Sequence, residues 1–178
     1  MITSFFKLLK NDKPLTVAGA INPYSALLAK KTGIKALYIS GAGVANASFG
    51  LPDLALTSLD NVLEDLRRIR GISDLPILVD CDTGWGSALN ISKTTKEMIS
   101  AGASGIHIED QVSEKRCGHR PNKEIVSSDE MCDRMKAARD AISDDDFMLM
   151  ARTDAFAKEG LERTCLLYTS PSPRDLAV

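Results

Sequence analysis

The sequence contains no apolar run near the roughly 20 residues that a membrane-spanning helix needs. Its start, residues 1–14, lacks the apolar segment and cleavage-site pattern of a secretory signal and instead favours a short amphipathic helix. The net charge is −2, so there is no cationic surplus of the kind that general nucleic-acid binding uses. We therefore expect a cytoplasmic protein that binds neither membranes nor nucleic acids.

The four cysteines lack the spacing of a zinc site or a redox pair. No two of them form C-x-x-C, and the two histidines do not complete a zinc pattern with them. A disulfide framework is not expected in a cytosolic chain of this length. Cys81 falls in a strand pattern and Cys132 in a helical pattern, so we expect both thiols to be packed in the interior.

Short apolar runs alternate with helical patterns along the chain. The patterns predict strands over residues 15–20, 36–40, 76–80, 105–109 and 147–151, and helices over 25–31, 58–69, 90–100 and 128–142. Nearly continuous apolar strands that alternate with helices are typical of an α/β protein with a parallel sheet. Polar residues follow each strand, which favours a (β/α)8 TIM-type barrel over a doubly wound sheet.

A complete barrel of this type usually needs about 250 residues and eight strands. Only about five βα units can be read from this sequence, so we interpret residues 1–164 as the N-terminal part of a TIM-type barrel. Residues 165–178 follow no helix or strand pattern and contain Pro171 and Pro173. We interpret this segment as an unrelated tail of artefactual origin, because it resembles a translated sequencing adapter; the alternative is a flexible C terminus.

The loop Lys115-Arg116-Cys117-Gly118-His119 follows the fourth predicted strand. Lys115, Arg116 and His119 would favour the thiolate form of Cys117 and attract an anionic substrate. Gly118 would allow a ligand to approach the backbone. On residue types alone, an ordinary polar loop with a chance cysteine remains the alternative.

Two carboxylates end the third predicted strand. Asp80 and Asp82 lie two residues apart, so they are expected on one face of that strand. Carboxylate pairs at a barrel mouth suit Mg²⁺, and Mn²⁺ by the same ligand preference. Glu109 ends the next strand and could join as a ligand or hold a metal-bound water. The alternative is a surface acidic pair.

Further candidates follow the second and fifth strands. Backbone N–H groups of the loop Ser40-Gly41-Ala42-Gly43 could bind an anion. A dinucleotide fingerprint is rejected, because Asn46 occupies the third glycine position. Arg152 is a candidate carboxylate clamp, or else a surface ion pair. Tyr38 and His107 are each expected to be core residues.

Several runs together resemble the lyase branch of the isocitrate lyase/phosphoenolpyruvate mutase superfamily, and within it the 2-methylisocitrate lyase family. The resemblance extends from about Leu8 to Arg163. The lyase branch is distinguished by the K-[KR]-C-G-H element, and Arg116 with the following residues favours the methylisocitrate enzymes. The runs that carry it are 38–41, 49–53, 78–82, 108–112, 115–123 and 150–154.

The resemblance implies roles for individual residues. Cys117 would be the catalytic acid/base, and Asp80 and Asp82 the Mg²⁺ ligands. The implied substrate contacts are Ser40, Gly41, Ala42, Gly118, His119 and Arg152; the implied surrounding residues are Tyr38, Asp53, Glu109, Lys115 and Arg116.

The implied reaction cleaves 2-methylisocitrate, a small tricarboxylate, to pyruvate and succinate in propionate breakdown. Full-length relatives are expected to be homotetramers. The family's later site residues have no counterpart here, so we expect the chain as written to be inactive. The alternatives are isocitrate lyase, an oxaloacetate- or phosphonate-cleaving relative, and a non-catalytic fragment.

Overall fold

The computed structural model describes residues 4–169. In this part of the chain no helix is long and apolar enough to cross a membrane. The strands are β1 (Val17–Gly19), β2 (Ala36–Ile39), β3 (Ile77–Asp80), β4 (Gly105–Glu109) and β5 (Met148–Arg152). The helices are α1 (Phe5–Asn11), α2 (Pro23–Lys31), α3 (Gly41–Gly43), α4 (Leu59–Arg70), α5 (Ala88–Ser100), α6 (Ser128–Asp140) and α7 (Phe156–Thr169). A π-helical turn, Val44–Ser48, follows α3, and α7 is interrupted at Gly160.

The five strands form one parallel sheet in the order β1-β2-β3-β4-β5. Each strand therefore lies beside its neighbour in sequence, and the direction of winding never reverses. A doubly wound sheet reverses at a switch point, so that alternative is wrong. The prediction of an α/β fold with about five βα units of a TIM-type barrel is confirmed.

One face of the sheet is covered by helices α2, α4, α5 and α6. The strand residues on this face are apolar and pack against apolar side chains of these helices. Burial of this surface is the main source of the sheet's stability, at about 25 cal/mol per Å². The strand residues concerned include Leu37, Ile39, Val79, Ile106 and Ile108.

The opposite face carries a second, smaller cluster at the amino ends of the strands. Phe5 and Leu8 of α1 pack there against Ala36, Leu78 and Met148. The predicted amphipathic helix in residues 1–14 is thus confirmed, and it closes this end of the sheet. The carboxyl ends of the strands on the same face are left to polar side chains.

Local capping sets where the helices begin. Helix α2 starts two residues before the predicted position, because the Asn22 side chain accepts the Ser25 N–H and Pro23 fits the first turn. Ser58 caps α4 as predicted. Ser127 caps α6 by accepting the Glu130 N–H at 3.2 Å.

The predictions for Cys81 and Cys132 have different outcomes. Cys81 is buried as expected. Cys132 is exposed, so its assignment to the core is wrong. Helix α6 packs through Arg134 and Ala138, which are four residues apart on one face. Cys132 precedes Arg134 by two residues and therefore points away from that face.

The predicted boundary between residues 164 and 165 falls inside α7, whose backbone continues to Thr169. Residues 170–178, with Pro171 and Pro173, lie outside the described residues. The interpretation of 165–178 as an unrelated tail stays a prediction.

Candidate active site

The polar side chains at the carboxyl ends of β2 to β5 share the face opposite the covering helices. Asp80 of β3 is the register partner of His107 on β4, and Glu109 of β4 is the partner of Arg152 on β5. Partners in a parallel sheet point to the same side. The sheet thus brings together Asp80 and Arg152, which lie 72 residues apart along the chain.

Asp80 is held in one orientation by three donors. Its Oδ2 accepts the Gly41 N–H at 3.1 Å and the Tyr38 hydroxyl at 3.2 Å. Its Oδ1 accepts the Asp82 N–H at 3.1 Å. A buried carboxylate with this many donors is fixed in orientation, as a metal ligand or binding group requires.

Asp82 lies just past the end of β3 with a left-handed φ of 48°. Burial, reinforced by the Asp80 carboxylate, raises the pKa of Asp82 to about 6 despite the opposing Lys115. The Lys115 Nζ is 2.6 Å from Asp82 Oδ1 and 2.6 Å from Asp53 Oδ1. The buried Lys115 therefore links the β3 end to the segment that carries Asp53.

The ammonium group of Lys115 pairs with Asp82 and Asp53, whereas it was predicted to act on the Cys117 thiol. Burial lowers the pKa of Lys115, but the carboxylates of Asp82 and Asp53 outweigh this effect and raise it, so the lysine is a fixed cation. Arg116 directs its side chain to solvent. His119 contacts the thiol, with Nδ1 3.7 Å from Cys117 Sγ.

The pair Asp80 and Asp82 fits a hard divalent cation. A Cβ added to Gly41 would lie 2.8 Å from Asp82 Oδ1 and 3.3 Å from Asp80 Oδ2, so both carboxylates face one point. Asp82 Oδ1 is buried without a hydrogen-bond donor, although Lys115 pairs with it electrostatically. Among residues 4–169 no three Asp, Glu, His or Cys side chains form a metal cluster. Two carboxylate ligands suit an ion such as Mg²⁺, which takes few protein ligands.

Glu109 and Arg152 form the adjoining part of the site. Arg152 Nη1 is 3.5 Å from Glu109 Oε2, and Nη2 is 3.5 Å from Asp154 Oδ2. Burial raises the pKa of Glu109 to about 8, against the effect of Arg152 and Lys115. The Arg152 side chain is 35% exposed and so keeps a surface open to a substrate carboxylate. Gly118 lies against its guanidinium, where a Cβ would collide.

Tyr38 and His107 stack with their ring centroids 5.7 Å apart. The Tyr38 hydroxyl is 2.9 Å from His107 Nε2. Burial and the Asp80 charge raise the pKa of Tyr38, which favours a hydrogen-bond donor over a base. Burial lowers the pKa of His107, so the imidazole is neutral. His107 is buried as predicted, but its Nδ1 has no partner.

The loop after β2 is a helical turn. Ser40 begins α3, and its hydroxyl accepts the Gly43 N–H at 3.4 Å. The Gly41 N–H, predicted to bind an anion, donates to Asp80 instead. Ala42 lies in the same turn, half-buried. The turn thus holds Asp80, a metal-ligand candidate, in place.

Two residues that hold the Cys117 loop, Gln111 and Lys123, were not predicted from the sequence. Gln111 binds Glu109, Asp154 and the backbone of Arg116, and Lys123 binds Asp154 and the Gly118 carbonyl. A signal was available, because the period of two beyond β4 sets Gln111 on the same side as Glu109. Asp53 also holds the loop, since its carbonyl accepts the Cys117 N–H at 3.2 Å.

The fold and the site together define a class of protein. It is an α/β protein of the barrel type, with acidic and basic side chains gathered at the carboxyl ends of its parallel strands, where such folds carry their chemistry. The sequence model described as phosphoenolpyruvate phosphomutase matches residues 5–166. The chain belongs to this family.

Individual proteins of known name that are similar to this chain were also found. The chain is 60% identical over 158 residues to a 2-methylisocitrate lyase from Shewanella oneidensis, covering 89% of this chain and 54% of that protein. A solved 2,3-dimethylmalate lyase, described as a member of the PEP mutase/isocitrate lyase superfamily, aligns with TM-score 0.85 at 34% identity over 94% of this chain and 58% of that one. A solved oxaloacetate acetylhydrolase aligns with TM-score 0.82 at 37% identity over 88% and 54%. The chain thus spans about half the length of the proteins it matches.

Proposed function

We propose that this chain is the N-terminal half of a Mg²⁺-dependent lyase that cleaves 2-methylisocitrate to pyruvate and succinate in propionate catabolism. One observation carries the proposal: the Cys117 loop lies beside Arg152 and the Asp80–Asp82 carboxylates. The 60% identity to an enzyme named 2-methylisocitrate lyase supports the substrate assignment. The cytoplasmic location and a homotetramer of the full-length protein belong to the same proposal.

Substrate binding would use the open charge of the site. The exposed side of Arg152 would pair with a substrate carboxylate, and the α3 turn after Ser40 would border it. Gly118 and His119 would cover the bound acid from the loop. Tyr38 would donate a hydrogen bond and, with Lys115, keep the carboxylates beneath the substrate in place.

Asp80 and Asp82 would hold the cation. When bound, Mg²⁺ would supply electrophilic stabilisation of negative charge on the α-hydroxy acid end of the substrate. Lys115 and the α3 turn would keep both carboxylates in position.

Cys117 would deliver a proton. The bond between the hydroxyl-bearing carbon and its neighbour breaks, the O–H proton passes to water, and the hydroxyl carbon becomes the carbonyl of pyruvate. The electron pair remains on the carbon that becomes succinate, and Cys117 Sγ–H protonates that carbon. His119 Nδ1, 3.7 Å from Sγ, would restore the thiol proton.

The proposal is tested in a hybrid enzyme, in which residues 5–164 of this chain replace the matching segment of the Shewanella oneidensis relative. Pyruvate release is measured with 2-methylisocitrate and with isocitrate. We expect kcat/KM to favour 2-methylisocitrate by at least about tenfold, since one methyl group in an apolar pocket is worth about 10- to 200-fold. An equal or reversed preference would move the assignment to isocitrate lyase.

Two observations support a second candidate within the same superfamily. The two structural relatives named above are a 2,3-dimethylmalate lyase and an oxaloacetate acetylhydrolase. Both 2,3-dimethylmalate and oxaloacetate are therefore included as substrates in the hybrid assay, with phosphonopyruvate added for the phosphonate-cleaving alternative. Turnover of any of these above that of 2-methylisocitrate would favour the alternative.

A further inference from the structure

Gln111 lies at the centre of the contacts around the Cys117 loop. It follows β4 by two residues and is only 1% exposed. A buried side-chain amide is costly unless its polar atoms are bonded. Here both ends of the amide are occupied, which indicates that its position is determined by a specific requirement.

The Gln111 amide pairs with the backbone of Arg116 as a strand partner would. Its Oε1 accepts the Arg116 N–H at 3.0 Å, and its Nε2 donates to the Arg116 carbonyl at 2.9 Å. This pairing fixes both peptide groups of the residue that immediately precedes Cys117. A side chain thus holds the loop where no strand lies beside it.

The same nitrogen reaches two site carboxylates. Gln111 Nε2 is 3.0 Å from Glu109 Oε1 and 3.1 Å from Asp154 Oδ2. Three acceptors therefore surround the Nε2 group, which has two hydrogens, and this excludes the flipped amide. The loop is thereby attached to the ends of both β4 and β5.

Lys123 provides a second attachment at the far end of the loop. Its Nζ is 2.5 Å from the Gly118 carbonyl and 3.1 Å from Asp154 Oδ1. Asp154 is therefore shared between the two attachments. Gln111 acts on the residue before Cys117, and Lys123 on the residue after it.

We propose that Gln111 is a positioning residue that sets the location of Cys117 by binding the Arg116 backbone to the ends of β4 and β5. Its importance for turnover rests on the proposed function, in which Cys117 transfers the proton. The anchoring of the loop is independent of that function and can be measured without substrate.

Three thiols of the chain make the measurement internally controlled. Cys117 lies in the loop, Cys132 is exposed on α6, and Cys81 is buried in the core. Alkylation of Cys132 measures the reactivity of the reagent toward an exposed thiol, and alkylation of Cys81 measures global unfolding. The 178-residue chain is treated with iodoacetamide, and each cysteine is followed by peptide mass spectrometry.

Two variants remove the side-chain amide of Gln111 in different ways. Gln111→Met keeps the shape without hydrogen bonds, whereas Gln111→Glu loses the N–H groups and adds charge beside Glu109 and Asp154. Lys96→Gln, at an exposed site on α5, matches the charge change of Gln111→Glu and serves as control. We expect the ratio of Cys117 to Cys132 alkylation to change by at least about fivefold in both Gln111 variants, with Cys81 still protected, because two or more hydrogen bonds are lost.

An unchanged ratio in Gln111→Met with Cys81 protected would overturn the proposal. So would a rise in Cys117 alkylation only in step with Cys81, since Gln111 would then support the whole fold. In the hybrid enzyme, Gln111→Met should lower kcat at least about tenfold with KM changed less than about threefold, because Arg152 still binds the carboxylate. Failure of the proposed function would leave the hybrid inactive but would not affect the thiol measurement.

Discussion

Lys115 illustrates how single residues gain their roles from partners that the local sequence does not show. It stands two residues before Cys117, yet its ammonium group binds Asp53, which is 62 residues away, and Asp82. Two carboxylates share one buried ammonium group, so loss of Lys115 would leave both carboxylates without their cation. The loop cation thus supports the carboxylate pair and not the thiol.

In the proposed mechanism, Cys117 has the most direct chemical role. In the hybrid enzyme, Cys117→Ser should lower kcat by at least about a hundredfold, because a hydroxyl is a much weaker acid than a thiol and general acid catalysis is worth about 10²- to 10⁴-fold. The melting temperature should be unchanged, since the side chain is only half-buried. Cys132→Ser on α6 is the matched control. Turnover near that of the unsubstituted hybrid enzyme would show that Cys117 does not take part in the reaction.

Asp82→Ala should reduce Mg²⁺ and Mn²⁺ affinity by at least about tenfold, measured by titration calorimetry on the hybrid enzyme. The free energy of unfolding should change little, because Lys115 retains Asp53 and Asp80 loses a repulsive neighbour. Asp133→Ala, at an exposed carboxylate of α6, is the control. Activity that is insensitive to chelators in the parent enzyme would contradict the metal assignment.

At the scale of elements, the strands and the long helices follow from local patterns, whereas the loops do not. Leu59, Val62, Leu66 and Ile69 repeat at helical spacing, and Ser58 supplies the cap, so α4 could be predicted within a residue. The α3 turn could not, because Gly41-Ala42-Gly43 carries no apolar period. Its helical form depends on the Ser40 cap and on the Asp80 carboxylate, which binds the Gly41 N–H.

In the candidate site, too, only some of the residues could be predicted from the sequence. Asp80, Glu109 and Arg152 could be placed together because parallel strands end at one edge. Gln111 and Lys123 could not be given roles, since their partners are set by the path of an irregular loop. Cys132 was misplaced because helix α6 has a weak apolar pattern, and its packed side is carried in part by Arg134.

We expect the α3 turn to be needed for the binding of divalent cations. Gly41→Ala should weaken divalent-cation binding at least about tenfold, because the added Cβ would lie 2.8 Å from Asp82 Oδ1 and would displace that carboxylate. Gly43→Ala is the matched control in the same turn, where the nearest atoms would be 3.4 and 3.5 Å away. Equal affinities in the two variants would show that the turn does not define the cation site.

At the scale of the whole molecule, the sheet has an open edge on each side within residues 4–169. In that part of the chain β1 and β5 each pair on one side only, and five strands cannot close an eight-stranded barrel. On β5, the side chain of Met150 is 41% exposed on the face that carries the site. The site is therefore bordered by an open sheet edge, and the chain spans about half the length of the relatives it matches.

The 178-residue chain alone should show no lyase activity, whereas the hybrid enzyme should be active. The physical reason is that the site lacks the remaining strands, which would enclose the substrate and exclude water. Pyruvate release is measured for both proteins at equal concentration, with the hybrid Cys117→Ser variant as the baseline. Turnover by the short chain comparable to that of the hybrid would show that five βα units suffice.

Helix α1 has a consequence for the order in which the molecule forms. Phe5 and Leu8 contact Met148, and the Ser4 hydroxyl binds Asp146, 142 residues further along the chain. During synthesis, these first apolar side chains must wait until β5 has left the ribosome before their site is complete. Contacts this distant close slowly. Helix α1 should therefore acquire protection from amide hydrogen exchange late in folding, together with β5.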